Sequence, residues 1–407
     1  MEVKGSKLYL GGVSAEELIE EFGSPLYAYE EDTIRGNYRQ LVGSISWPRK
    51  KILYACKANT NLAIIRILSE EGCGIDAVSP GEVFLALKAG VPKEDILFTG
   101  NNMTDEDMRF VAGKGILLNI GSVSRLEKYG REYPGTDVCV RVNPDVKPDV
   151  HPHLATGGLD SKFGIHLGYV DRVKEIAKEH ELNIRGIHAH IGTTIMDMAP
   201  FRETMDVVLD AAKRFEGLEF VDFGGGIGIP YKPEQKAVDL KEFGAFASKK
   251  MQEFSDAYGK EVEYRIEPGR FLVAESGFLL SKVNTIKQNP KKRFLGLDTN
   301  MAQLVRPCMY GSYHHIVNAS NMGGELETVD VVGNICETGD FFAKDRQVQH
   351  AEEGDIIAIK DAGAYGFAMS SHYNSFPRPA EVLVSGGNAR VIREREKLED
   401  FLRGQKH

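Results

Sequence analysis

From about residue 50 to 270, short β-branched apolar runs alternate with stretches whose apolar residues recur at helical spacing. Eight such runs can be counted: KILYACK, GCGIDAVS, DILFTGN, GILLNIGS, DVCVRVNP, IRGIHAHIG, LEFVDFGGG and EYRIEPGR. Segments such as NLAIIRILSEEG and PGEVFLALKAG fill the intervals between most pairs. This alternation predicts repeated βα units on a parallel sheet. Eight units predict a closed (β/α)8 barrel, with an open doubly wound sheet as the competing architecture. The strand ends favour the barrel. Lys57, Asp76, Asn101, Asn143, His190, Gly224 to Gly226 and Glu267 stand at the ends of these runs, and a barrel gathers all its strand C-termini onto one face.

After about residue 278 the texture changes to short alternating strands such as TVDVVGNIC, DIIAIKD and AEVLVSG, separated by Gly, Asn and Asp. This predicts a β-domain. The opening KLYLGG and PLYAYEE are also extended in pattern and are expected to pair into it. The expected division is 1–28 for N-terminal strands joining the β-domain, 29–278 for the barrel and 279–407 for the β-domain. The fold class is therefore α/β, a TIM-like barrel with a C-terminal β-domain.

At 407 residues the chain exceeds the size at which one core keeps growing, so two domains agree with its length. Hydrophobic residues at 42% and charged residues at 27% are close to soluble averages, and no apolar run reaches the length of a membrane span. The start, MEVKGSKLYLGG, shows no secretory signal, so a cytoplasmic protein is expected. Cys56, Cys73, Cys139, Cys308 and Cys336 have no CxxC or regular spacing, which argues for reduced thiols rather than disulfides or a zinc cluster. A net charge of -9 without a Lys/Arg block gives no footprint for nucleic acid or anionic lipid. Small molecules are the expected partners.

Lys57 stands just past an apolar strand, where packing is expected to strip water from its ammonium and favour a nucleophilic amine able to form a Schiff base. A strand-end lysine reaching solvent is the ordinary alternative. The three glycines of LEFVDFGGGIGIPY are expected to leave backbone N–H groups open to a phosphate, on the seventh strand where barrels usually bind one; a tight turn would also use them. Glu267 could hold a protonated pyridine nitrogen and strengthen a cofactor ring as an electron sink, which favours decarboxylation over racemisation. Its alternative is a surface salt bridge with Arg265 or Arg270. His188 and His190 lie two apart on one face of a strand. An HxH pair could bind a metal, but no further histidine stands ready to complete the set, so no metal is expected. A flat imidazole from His190 could stack on a cofactor ring instead, or serve as a hydrogen-bonded structural histidine.

YACKAN, HAHIGTT, DFGGGIG, EPGR, CETGD and DAGAYG occur here in the order found in fold-type III pyridoxal-phosphate decarboxylases. Within that group the chain most resembles the diaminopimelate decarboxylase family, and the likeness runs from about residue 25 to 385. TGNN, SKFGI, RPCMYGSYHHI and MSSHYNSFPRPAEVLV belong to it as well.

The resemblance implies pyridoxal 5'-phosphate as cofactor, an alanine-racemase-like fold, and a homodimer in which each barrel meets the partner's β-domain to form shared active sites. It implies decarboxylation of meso-2,6-diaminopimelate to L-lysine and carbon dioxide, the last step of lysine biosynthesis. Residue by residue, it makes Lys57 the lysine that carries the cofactor, His190 the stacking residue and Glu267 the partner of the pyridine nitrogen. Asp76, Thr193, Gly224, Gly225, Gly226, Pro268, Gly269, Arg270 and Tyr365 would complete the cofactor site. Cys336 would donate a proton to the carbanion, across the dimer interface. Its thiol suits the task, because an unperturbed cysteine titrates near pH ~8.5. Arg270, Arg306, Tyr310, Glu337 and Tyr365 would bind substrate, with arginine gripping the far carboxylate and Glu337 the far ammonium. That set disfavours a bare distal amine such as ornithine's. His372 and Phe376 depart from the SSNYNSR found in many members, and Thr338 departs from CESGD. The other readings weighed are a sister decarboxylase acting on another amino acid or a carrier-bound substrate, a non-catalytic pyridoxal-phosphate-binding barrel, and a metal-dependent barrel hydrolase.

Overall fold

The computed structural model describes residues 1–149 and 156–406. These divide into two compact units, Gly36–Ile229 with Lys236–Leu272, and Met1–Arg35 with Pro230–Gln235 and Val273–His407.

The first unit is a closed barrel of eight parallel strands: β1 (Lys50–Ala55), β2 (Gly74–Ala77), β3 (Ile96–Phe98), β4 (Leu117–Ile120), β5 (Asp137–Asn143), β6 (Asn183–His188), β7 (Phe220–Asp222) and β8 (Glu263–Ile266). Each pairs with the next, and β8 returns to β1 with Tyr264 opposite Lys50 and Ile266 opposite Ile52. That last pairing decides against the open sheet, whose first and last strands would be edges. The helices between strands start and stop on local signals. Ser79 caps helix Pro80–Ala89 by accepting from the Glu82 N–H, and Gly90, at φ +94°, ends it. Thr104 and Asp107 form a reciprocal capping box at the start of helix Asp105–Gly113.

Strand periodicity separates the barrel interior into two layers. Leu53, Leu97, Cys139 and Phe220 pack together as an apolar floor, and Gly186 gives Phe220 its space, since a Cβ there would lie 2.1 Å from the ring. Two residues further along the strands, on the same face, stand Thr99, Arg141, His188 and Asp222, all buried. The period-2 rule thus converts a dry floor into a polar mouth at the C-terminal end.

The second unit is a mixed sheet built on the long strand Gly277–Gln288, which pairs antiparallel with Leu26–Glu30, Arg293–Leu297 and Ile356–Ile359. Leu26–Glu30 in turn runs parallel to Ala380–Ser385. Leu8, Leu10, Leu18, Leu26, Phe278, Leu280, Ile356 and Val382 form its core. No helix among the described residues is long and apolar enough to cross a membrane.

Candidate active site

Lys57 sits in a short turn, Cys56–Ala58, directly after β1. The environment expected for it, an apolar wall that excludes water, is not what the fold supplies. Its side chain is 36% exposed, and Nζ donates to Asp76 Oδ2 at 2.9 Å. Asp76 itself is fully buried on β2, and its other oxygen has no hydrogen-bond partner among the described residues. The lysine is held by a carboxylate and left accessible, which suits an amine that must meet an incoming carbonyl group.

Glu267 follows β8 and is buried, which rules out the surface salt bridge. Arg265 pairs with Glu263 instead, and Arg270 donates to the Thr193 hydroxyl at 3.3 Å. One oxygen of Glu267 lies 2.9 Å from His188 Nε2. The other makes no hydrogen bond of ordinary geometry among the described residues, although Thr99 lies near enough to favour the charged form of Glu267. Burial pushes the Glu267 carboxyl well above the usual carboxylate range, Asp76 adds to this, and Lys57 and Arg141 oppose it. A buried carboxylate with an unsatisfied oxygen is costly unless a donor arrives. A protonated pyridine nitrogen is a donor of the required kind.

His188 and Asp222, from the ends of β6 and β7, join Glu267 in a buried group whose donor atoms lie within 4.8 Å of one another. The group takes only His188 of the HxH pair and no further histidine; its companions from the other strand ends are carboxyl groups. Burial, with Glu267 second, pushes Asp222 up to about 8, and burial pushes His188 down to about 4. Near neutral pH this is an uncharged imidazole and a protonated acid around Glu267.

His190 lies past the end of β6 with its ring partly exposed. Its Nδ1 accepts from the Gly225 N–H at 3.1 Å, so the ring proton resides on Nε2. Enclosure pushes its pKa well down, and Lys57, Arg141 and His188 add to this, so the ring is neutral and flat. The same bond corrects the reading of the glycines. The Gly225 N–H goes to His190, and the Gly224 N–H goes to Asp222 Oδ1 at 2.9 Å. Two of the three amides are thus engaged inside the protein.

What the glycines provide instead is close approach. A Cβ on Gly224 would lie 2.5 Å from the Ala189 carbonyl oxygen, one on Gly225 2.1 Å from that of Glu267, and one on Gly226 2.9 Å from that of Gly192. Gly269 is likewise pressed against Ala55 and Ala58, which seats Pro268 and Gly269 beside the Lys57 turn. Gly225→Ala should therefore destabilise the barrel by roughly 1–3 kcal/mol, because the clashing atom is backbone that cannot step aside. The check is a lower thermal midpoint with weaker retention of cofactor; unchanged values would show that the loop yields.

Several partners were hidden in the sequence. Arg141 stands inside strand β5, buried from Val138 onward, over the Phe163 ring at 4.7 Å, and burial lowers its pKa against the pull of Glu267 and Asp76. A lone arginine between the apolar Val138–Val140 and Val142 is the signal that could have marked it. Asn143, by contrast, donates to the Gly158 and Phe163 carbonyls and serves backbone structure, and Asn101 is exposed.

In the other unit, Arg306 opens the short helix Arg306–Tyr310 and is buried; Tyr310 is half-buried. Cys336 and Glu337 are exposed on one loop, with Asn374 3.5 Å from the thiol and the Tyr373 hydroxyl donating to Glu337 at 2.7 Å. Tyr365 holds φ +57°, a left-handed conformation that a bulky side chain adopts only at a strained position. His372, one of the departures, is tied to Glu396 at 2.7 Å and packs edge-on to Phe401; Phe376 is half-buried.

With this geometry in view, the chain can be compared with known proteins. The pyridoxal-binding domain of the pyridoxal-dependent decarboxylases matches residues 32–274. A diaminopimelate decarboxylase of Methanothermobacter thermautotrophicus is 47% identical over 98% of this chain and 95% of its own, and one of Aquifex aeolicus is 38% identical over 98% and 96%. The crystal structure of the M. jannaschii diaminopimelate decarboxylase superposes with a TM-score of 0.93 at 36% identity, covering 100% of this chain and 97% of that one; a structure of it with L-lysine gives 0.91. The barrel with a strand-end lysine, the buried carboxylate after β8 and the near-full-length identity agree: this chain belongs to the pyridoxal-dependent decarboxylases, in the diaminopimelate decarboxylase family.

Proposed function

We propose that the protein removes carbon dioxide from meso-2,6-diaminopimelate to leave L-lysine, using pyridoxal 5'-phosphate attached at Lys57. The observation that carries this reading is Glu267, fixed on one oxygen by His188 and unsatisfied on the other, in a chain 47% identical to a diaminopimelate decarboxylase. When bound, the cofactor supplies a sink for the electron pair that the departing carboxylate leaves behind.

The chain's own residues do the rest. Lys57 offers its amine for attachment and is held by Asp76. Glu267 would accept from the ring nitrogen of the cofactor through its buried oxygen that has no hydrogen-bond partner among the described residues. His190 would offer its neutral ring to the cofactor. Thr193, Gly226 and Arg270 would hold the phosphate, with Gly224, Gly225, Pro268 and Gly269 supplying the close backbone fit, and Tyr365 would also contribute to cofactor binding. Cys336 gives a proton to the carbon that has lost carbon dioxide, so one C–C bond breaks and one C–H bond forms. Arg306, Tyr310 and Glu337 bind the amino-acid end that does not react. We further propose that these last residues act in the site of a partner subunit in a homodimer, and that the protein works in the cytoplasm.

A panel of amino acids with carbon dioxide release as readout tests this reading. Meso-2,6-diaminopimelate should be turned over, and L-ornithine, L-arginine and L-lysine should be poor substrates. Preferential release from L-ornithine would assign the protein to a sister activity. Release from none of them with cofactor bound would leave the non-catalytic carrier.

A further inference from the structure

Arg306 is 3% exposed and its guanidinium has only N–H donors, so any polar atom bonded to it must accept. Nη1 lies 2.9 Å from His314 Nε2. The other ring nitrogen, Nδ1, lies 2.8 Å from the Lys360 carbonyl oxygen, which also only accepts. One state of the imidazole satisfies both contacts, namely the neutral ring with its proton on Nδ1. Nδ1–H donates to Lys360, and the Nε2 lone pair receives Arg306. His314 is fully buried, so water does not offer its ring an alternative.

The same Nη1 donates to the Tyr231 hydroxyl at 3.2 Å, and the Tyr231 ring lies 5.0 Å from the guanidinium and edge-on to His314. These two acceptors are formally neutral, and they orient the guanidinium, which is the preparation a carboxylate-binding arginine needs. Asp361, buried nearby, is pushed up to about 7, mainly by burial, with Lys360 and Arg306 opposing the shift.

We propose that His314 is a positioning residue for substrate specificity: as a neutral acceptor anchored on Lys360, it aims Arg306 at the carboxylate of the non-reacting end of the substrate. This rests on the role given to Arg306 under the proposed function and adds the residue that sets it.

The test uses two ligands that differ only in that carboxylate. Losing carbon dioxide from one end of diaminopimelate leaves L-lysine, which keeps the far carboxylate, whereas cadaverine has the same five-carbon diamine chain without it. Their dissociation constants from the holoenzyme are read from the change in the cofactor's visible absorbance. His314→Met removes the acceptor at similar length and should weaken L-lysine roughly ten- to hundredfold, as expected for a lost hydrogen bond to a charged group, while changing cadaverine by less than about threefold. His314→Gln, which can place an amide oxygen near the Nε2 position, should recover most of the loss. Equal weakening of both ligands, or no recovery with Gln, would make His314 a packing residue and overturn the proposal. A wild-type protein that does not prefer L-lysine to cadaverine would instead overturn the reading of Arg306, so the two failures are separable. A measurement on the unsubstituted protein needs no variant to fold: ring ¹⁵N shifts should show His314 protonated on Nδ1 and bare on Nε2, and the opposite tautomer would refute the arrangement.

Discussion

Lys57→Ala is expected to lower turnover of diaminopimelate by at least about a thousandfold, because it removes the amine to which the proposed function attaches the cofactor. The variant should still retain some pyridoxal phosphate. The steric fit at Gly224, Gly225, Gly226 and Gly269 does not depend on the lysine, and neither does the donor-seeking oxygen of Glu267. Stability should fall as well. Asp76 is fully buried with one oxygen already without a partner, and removing Nζ leaves the other without its donor at a cost of roughly 1–3 kcal/mol. Steady-state kinetics and a thermal scan separate the two effects. If turnover stayed within tenfold of the parent protein, the chemistry would not pass through Lys57.

The second large effect is expected at Arg306. Replacing it with alanine removes a buried charged group that the proposed function pairs with the substrate's far carboxylate, at a cost of roughly 2–5 kcal/mol of transition-state binding. That corresponds to a drop in kcat/KM for diaminopimelate of about thirty- to several-thousandfold. Cadaverine, which has no such carboxylate, should bind about as it does to the parent protein. The contrast distinguishes recognition from collapse, because a misfolded β-domain would lose both ligands. If Arg306→Ala lowered affinity for cadaverine as much as for L-lysine, the arginine would serve the fold and the substrate assignment would lose its physical basis.

The sequence made the strands legible because each is short, apolar and followed by a residue of unusual chemistry. Lys57 and Glu267 stood out for that reason, and β8 pairing with β1 fixed the barrel over the open sheet. Environment was harder to read than position. Lys57 was expected among apolar groups, but its partner Asp76 comes from the next strand, and a linear pattern does not report a contact across strands. The glycines were read as open N–H groups for a phosphate, while what approaches them, the carbonyls of Ala189, Gly192 and Glu267, comes from two other loops that the linear pattern does not bring together. Arg141 and Asp222 look like flaws in apolar runs until the barrel closes and brings them beside Glu267. His314 lies in a motif noted only for its neighbours, because its role depends on which ring nitrogen faces Arg306.

The central claim is that Lys57, held by Asp76 at the mouth of the barrel, is the covalent anchor of the cofactor. Borohydride reduction of the holoenzyme followed by peptide mass mapping tests it most directly. The visible absorbance should disappear, and the reduced cofactor should be found on the one peptide that contains Lys57. A label on any other lysine, or bleaching without a labelled peptide, would contradict the claim.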